Sequence, residues 1–427
     1  MFYLAYVLGM VLLNCFIDVG LVFLVGFYVG FLLFSWGDLF MFVDYLSFGM
    51  IMLLFWLFLF FFFVLVMGNW GYSILKYFFF FFFFFFFSLF FVFSVKNLFV
   101  FYLFFEVSLI PIFFVLGMGV KEERLSAGVY MLLYTIFFFS LPFLFGIFWL
   151  YNCVNTLDFF FVFYLGNSRF SFLVFFCICF GFLVKLPCYG FHLWLPSAHV
   201  ETFLWGVLWI LAGIYVKMGG YGLLRYSGWF LWGGFYQCYF YVFGIWGAFL
   251  ISLFCLRSSD MKVMIAYSSV FHMSMLFSVW SLGKVVALLV VFFMMFSHGL
   301  ISPMMFYYLN FFYERLKTRS VLIMRGSVFL FPFFVYVWFV VLIFNMGFPP
   351  FMSFFSEFLS LGLFLDFFGW FSVFLFFTLF LSGVYNMLFF VYVYLGEGYG
   401  FVSGVSGFLE LFVFWVFVIM YVAYLFF

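Results

Sequence analysis

The sequence predicts an all-α polytopic membrane protein of about fourteen transmembrane helices, with two broken helices placed as if in inverted repeats. Three observations carry that expectation. Of 427 residues, 71% are hydrophobic and only 7% are charged, where a soluble domain carries about 25% charged residues. Fifteen Lys+Arg and fourteen Asp+Glu cannot cover a water-soluble body of this size. Apolar runs recur along the chain at the roughly 20 residues that a spanning helix needs. Two of those runs are interrupted by proline, at Lys185-Leu186-Pro187 and at Asn345-Met346-Gly347-Phe348-Pro349-Pro350.

Cutting the chain at charges, Gly/Pro/Asn clusters and short polar loops places the spans in order. They fall near 2–17, 19–35, 45–67, 73–95, 97–118, 125–151, 170–195, 202–225, 230–256, 262–282, 285–309, 327–365, 370–395 and 405–427. The chain opens Met1-Phe2-Tyr3-Leu4 and its first basic residue is Lys76. The first helix is therefore expected to be its own insertion signal, with neither a signal-peptide n-region nor an Arg-rich transit segment. The phenylalanine block 78–87 is simply more helix in lipid. The 94 Phe exceed what a fold requires and read as codon bias where any large apolar side chain serves, pointing to an organellar gene. Spans seven and twelve should unwind at their prolines, because proline removes a backbone donor and clashes with the carbonyl four residues back. Unwound backbone at membrane depth is tolerated where it is buried in protein or lines a wet cavity.

Orientation follows from the loops. The connections after spans five, nine and eleven carry Lys121, Arg124, Arg257, Lys262, Arg315, Lys317, Arg319 and Arg325. The opposite face carries chiefly Lys96, Arg169, Arg225 and Lys284. The positive-inside rule puts the richer side in the matrix or cytoplasm and both termini outside. The two breaks lie five spans apart, so an odd number of helices per repeat inverts the second copy, the geometry of a transport path. The expected organisation is 1–72 N-terminal membrane helices, 73–226 a first repeat, 230–395 a second, inverted repeat, and 396–427 a C-terminal membrane helix.

Glu106, Lys185, Lys217 and Glu357 fall inside apolar runs where no loop can hold them. Each charge at the bilayer centre costs about 2.5–3.5 kcal/mol on an insertion scale. One such pair, say Glu106 with Lys185, could merely fix helix packing. Four on separate helices, two of them broken, read better as a proton relay, since burial disfavours the charged form and an approaching opposite charge restores it. His272 and His298 lie in spans ten and eleven and can pass a proton between their ring nitrogens, although a lone histidine on an apolar helix is more often a packing residue. His192 and His199 follow the span-seven break and are expected to be loop-facing structural residues.

Other chemistries are excluded. The seven cysteines, at 15, 153, 177, 179, 188, 238 and 255, have no C-x-x-C spacing and read as apolar fillers. No pair of histidines four apart shares a helix face with an acid, so no metal site is expected. Lys217-Met218-Gly219-Gly220-Tyr221-Gly222 lacks the preceding strand of a phosphate loop and reads as close helix packing. A net charge of +1 offers nucleic acid no basic face. No serine or cysteine nucleophile has a visible base.

Several motifs together resemble one family. They begin with Phe105-Glu106-Val107-Ser108-Leu109-Ile110-Pro111, Glu123-Arg124-Leu125-Ser126-Ala127-Gly128 and Tyr134-Thr135. Val184-Lys185-Leu186-Pro187, Gly190 to Pro196, Ala198-His199-Val200-Glu201 and Lys217 to Gly222 with Arg225 follow. Then come Ile265-Ala266-Tyr267-Ser268-Ser269 with His272-Met273, His298-Gly299-Leu300, Tyr313-Glu314-Arg315, Arg325-Gly326, and Pro349-Pro350 with Glu357. In this order, over roughly 100–360, they resemble the subunit 4 family of NADH:ubiquinone oxidoreductase (respiratory complex I). Ser197, Thr202-Phe203 and Pro303 depart from the family pattern; none touches the ionisable series.

The resemblance implies a fourteen-helix, antiporter-like subunit of the membrane arm that couples remote redox chemistry to proton pumping. Carried onto this chain, Glu106 and Lys185 look like the input pair, Lys217 like the central relay, His272 and His298 like its continuation, and Glu357 like the exit acid. It implies no cofactor in this chain, with NADH, FMN, iron–sulfur clusters and ubiquinone held by other subunits. It also implies contact with neighbouring antiporter-like subunits and lipids, only an indirect link to ubiquinone, and a place in the mitochondrial inner membrane with both termini in the intermembrane space. Two alternatives are a subunit of an independent cation/proton antiporter, whose transport would persist without NADH, and a structural membrane spacer, in which loss of Lys185 or Lys217 would leave pumping intact.

Overall fold

The computed structural model describes residues 43–67, 72–117, 140–159, 172–201, 211–227, 234–329, 332–367, 369–395 and 418. The expected spans at 2–17 and 19–35, and that at 405–427 apart from residue 418, lie outside the described residues. The described chain is almost entirely helical, and it divides into two units, Met1–Pro111 and Ile112–Phe427.

The first unit contains α1 (Tyr45–Met67), α2 (Tyr72–Ser94) and α3 (Leu98–Val107). Phenylalanine rings interlock these helices. Phe58 lies 5.1 Å from Phe82 and 4.5 Å from Phe86, and Phe91 stacks on Phe104 at 4.7 Å. Such pairs add about 0.5–1.5 kcal/mol each beyond the area they bury. Asn97 caps α3, its Oδ1 accepting from Phe99 N at 2.9 Å. The run expected as one span over 97–118 is helical from Leu98 to Gly117, with a single-residue turn at Ser108 (φ −62°) between α3 and α4 (Leu109–Gly117). Pro111 explains the turn, since it has no N–H to offer the Val107 carbonyl four residues back.

The second unit contains α5 (Leu141–Val154), α6 (Phe172–Lys185), α7 (Trp194–Glu201), a π-helical turn (Leu211–Tyr215) and α8 (Val216–Arg225). It continues with α9 (Gly234–Arg257), α10 (Met261–Trp280), α11 (Val285–Leu316), α12 (Pro332–Asn345), α13 (Met352–Phe367) and α14 (Gly369–Tyr394). Among the described residues, four helical stretches are long and apolar enough to cross a membrane: Cys238–Arg257, Met261–Trp280, Val285–Leu316 and Ser372–Tyr394.

Helix α10 is buried on nearly every side and packs against α9 and α11, as a helix that is apolar all round should. Its serines keep their hydroxyls paired by donating to the preceding turn, Ser268 to Ile265 O at 2.7 Å and Ser274 to Phe271 O at 2.8 Å. Helix α11 has 32 residues and is therefore about 48 Å long, against a hydrocarbon core of about 30 Å. It overruns the expected span end at 309 by two turns, because Phe311 and Phe312 stay buried and carry the helix on. It stops where Lys317 turns left-handed, φ 57°, and its N–H caps Tyr313 O at 2.8 Å.

The two proline-bearing interruptions share one hydrogen-bond pattern, displaced by 160 residues. Leu186 N donates to Phe182 O at 2.9 Å, as Met346 N does to Leu342 O at 2.9 Å. Cys188 N reaches Leu183 O at 3.4 Å, as Phe348 N reaches Ile343 O at 3.4 Å. Phe191 N to Cys188 O at 2.9 Å matches Phe351 N to Phe348 O at 3.1 Å. In both places a side chain satisfies the carbonyl just before the helix end. Trp194 Nε1 donates to Val184 O at 3.0 Å, and Ser353 Oγ to Phe344 O at 2.8 Å. Helices α6 and α12 each have 14 residues, and Lys185 and Asn345 end them at equivalent positions.

Candidate functional site

The site is organised by one face of α11. His298, Ser302 and Phe306 recur at four-residue spacing and so line a single stripe. Each meets a different polar partner. The His298 ring lies 5.1 Å from the ring of His272 on α10. Ser302 Oγ lies 3.5 Å from Lys217 Nζ and donates to Ala212 O at 3.2 Å. Phe306 stacks on His199 of α7 at 4.7 Å and 19°. All of these side chains are buried, Lys217 and His199 completely.

Lys217 reaches this depth because of its local backbone. The turn before it is π-helical, and the Lys217 ammonium donates to the carbonyl of Ala212, five residues back. Ser302 shares that oxygen from across the interface. Glycines then let α8 close onto α6. A Cβ at Gly219 would stand 2.7 Å from Phe182 O and 2.9 Å from Leu186 N. Lys185 ends α6, 2% exposed, with its Nζ 5.5 Å from the ring of Tyr215 in the same π-turn. One short turn thus carries contacts of both lysines.

Glu357 lies on α13 against the second interruption. Gly347 there has φ 69°, and a Cβ on it would stand 2.6 Å from Glu357 Oε2. The carboxylate is thus seated directly on the turn's backbone. Asn345 Nδ2, at the end of α12, donates to Asn386 Oδ1 of α14 at 2.9 Å. Glu106 lies in the first unit, half-buried in the last turn of α3.

The structure gathers Lys217, through Ser302, and His272, through His298, against one face of α11. The expectation that His192 and His199 face a loop is corrected. His199 is buried within α7, because the chain re-enters a helix at Trp194. His192 is also buried, stacked 5.4 Å from Tyr189. Sequence reasoning also missed Ser302, Asn345 and Asn386 as polar members of the interior. The four-residue spacing from His298 was the available signal for Ser302. Among the described residues, no group of three or more His, Cys, Asp or Glu is placed to hold a metal.

Buried lysines and histidines along the inner face of a long helix, in a bundle of apolar helices, define a membrane protein of the antiporter-like class. The chain belongs to the NADH:quinone oxidoreductase/Mrp antiporter transmembrane family, whose model matches residues 95–382. It is 37% identical to NADH-ubiquinone oxidoreductase chain 4 of Ceratitis capitata, over 86% of this chain and 82% of that protein. The chain 4 of Locusta migratoria is 37% identical, over 87% of this chain and 84% of its own length. That of Rhipicephalus sanguineus is 38% identical, over 84% and 81%. The fold is shared with a chain of respiratory complex I from Thermus thermophilus with bound NADH. There the TM-score is 0.82 at 21% identity, covering 95% of this chain and 89% of that one.

Proposed function

We propose that this chain is a proton-translocating, antiporter-like subunit of the membrane arm of NADH:ubiquinone oxidoreductase, itself free of redox centres. Its neighbours would be other membrane-arm subunits, including antiporter-like ones, and lipids. NADH, FMN, iron–sulfur clusters and ubiquinone would be held by the rest of the complex. The three relatives named above are oxidoreductase chains, which favours this over an independent cation/proton antiporter.

The observation that carries the reading is the stripe on α11, where His298 meets His272 and Ser302 meets Lys217 inside an apolar bundle. A charge so placed costs about 2.5–3.5 kcal/mol, and a spacer gains nothing from it. In the proposed path, Lys185 is an input residue, Glu106 keeps the input role that the family resemblance gives it, and Lys217 is the central relay. His298 and His272 continue it, and Glu357 is the exit acid. The side-chain separations call for bridging waters, which hydrogen-bond nearly as well as direct partners.

We further propose about fourteen spans, with 73–226 and 230–395 as inverted repeats between the N-terminal membrane helices (1–72) and a C-terminal one (396–427). The matched hydrogen bonds 160 residues apart support this. A mitochondrial inner-membrane setting with both termini in the intermembrane space accords with the gathering of basic residues at one end of α10 and α11. There Met261 N donates to Arg319 O at 3.2 Å and Arg319 Nη1 to Val200 O at 3.1 Å.

Lys217→Ala in the assembled enzyme tests the reading. Assembly should be largely retained, while NADH-driven proton translocation and the coupled quinone reduction are lost. Full pumping would remove Lys217 from the relay.

A further inference from the structure

The stripe on α11 does not end at Phe306. One more four-residue step brings Asn310, about 6 Å further along the helix and only 5% exposed. On its inner side, Phe306 stacks on His199 of α7 at 4.7 Å. On its outer side, the Tyr313 ring has the Arg319 guanidinium 5.0 Å from its centre and Lys262 Nζ of α10 at 5.8 Å. Arg319 in turn donates to Val200 O, next in the chain to His199, at 3.1 Å. Along α11, Asn310 therefore lies between the level of the buried His199 and that of the basic loops. Helix α12, which stacks Phe334 on Phe311 and sets Trp338 against Phe312, carries no charged residue. Asn310 Nδ2 is a buried donor with no hydrogen-bond partner among the described residues. Further out in the loop, Thr318 Oγ1 and Ser320 Oγ are buried and unmet in the same way. A buried donor left unmet is costly and calls for an explanation, and a bound water is the ordinary one.

We propose that Asn310 is a positioning residue of the translocation path, holding with its NH2 the water through which protons reach Lys217 from the basic end of α10 and α11. A carboxamide offers donors and an acceptor but does not titrate. It therefore orients a water without trapping the proton that the water passes on. From Asn310 the stripe runs about 12 Å inward to Ser302, whose Oγ lies 3.5 Å from Lys217 Nζ. The titratable and charged groups along that stretch are Tyr313, Lys262 and Arg319 at the outer end, His199 midway and Lys217 at the inner end. Leucine would fill the same space in an apolar bundle at no cost in unmet hydrogen bonds, so packing alone does not account for an asparagine here.

This inference rests on the relay reading above, and its test separates the two. In the assembled oxidoreductase, Asn310→Leu keeps the volume and removes the donor, so proton entry becomes the slow step. At alkaline pH on the side of the basic loops, translocation relative to the unmodified enzyme should fall about tenfold, the size of losing one buried hydrogen bond. It should recover in proportion to proton concentration as that side is acidified, and acidifying the opposite side should not restore it. Asn310→Ser, which keeps a hydroxyl and leaves room for a second water, should regain most of the rate. A loss that stays constant across pH on the basic side marks a purely structural role and overturns the proposal. So does an unchanged Asn310→Leu enzyme, and in both cases the relay stands. Full pumping by Lys217→Ala removes the relay and the role of Asn310 with it. If Asn310→Leu does not assemble, a density map of the unmodified complex decides. An ordered water within hydrogen-bond reach of Asn310 Nδ2 is expected, and a protein or lipid group in its place overturns the proposal.

Discussion

Ser302 shows how much a side chain with no charge can contribute where lysine is buried. Its hydroxyl touches both the Lys217 ammonium and the carbonyl that the ammonium occupies. Ser302→Ala removes one of two partners and leaves Ala212 O in place, so a loss of about 1 kcal/mol of positioning is expected. Steady-state translocation should fall several-fold, against abolition in Lys217→Ala. The burial of Lys185 and Lys217 was legible in the sequence, because each sits inside an apolar run that no loop interrupts at that point. Ser302 was not, because serine is common in these helices and most examples only bond back to the preceding turn, as Ser268, Ser269 and Ser278 do. His199 was hidden by Pro196 and Ser197 beside it, which suggest a loop, whereas proline is tolerated in the first turn of a helix such as α7.

At the scale of elements, the interruptions of α6 and α12 were readable from proline, glycine and asparagine, while the π-turn at Leu211–Tyr215 was not. A π-turn depends on which carbonyl an incoming side chain claims, and here Lys217 and Ser302 both claim Ala212 O. The glycines of α8 then set how closely that turn approaches α6. Gly219→Ala would drive a methyl against the backbone of Phe182 and Leu186. It should destabilise the subunit by about 1–3 kcal/mol, read as reduced complex content or a lowered Tm. Gly347→Ala should act differently. It meets the Glu357 carboxylate at 2.6 Å and puts a side chain at φ 69°. Translocation per complex should fall along with complex content, because the Glu357 carboxylate itself is displaced.

For the molecule as a whole, composition alone settled the membrane class, and the order of motifs settled the family. Neither could say which buried groups meet, since contact between α8 and α11 joins residues as far apart as Lys217 and Ser302. The basic loops at the ends of α9 and α11 were legible as charge. Their joining through Val321 N to Ser259 O at 3.0 Å was not, because backbone pairing between loops leaves no residue signature. The central claim is that Lys217, His298, His272 and Glu357 belong to one hydrated file. A density map of the intact assembly, sharp enough to place single waters, tests it most directly. The account predicts ordered waters linking Lys217 to His298 and His272, and His272 to Glu357. Dry, close-packed apolar side chains separating those groups would contradict it.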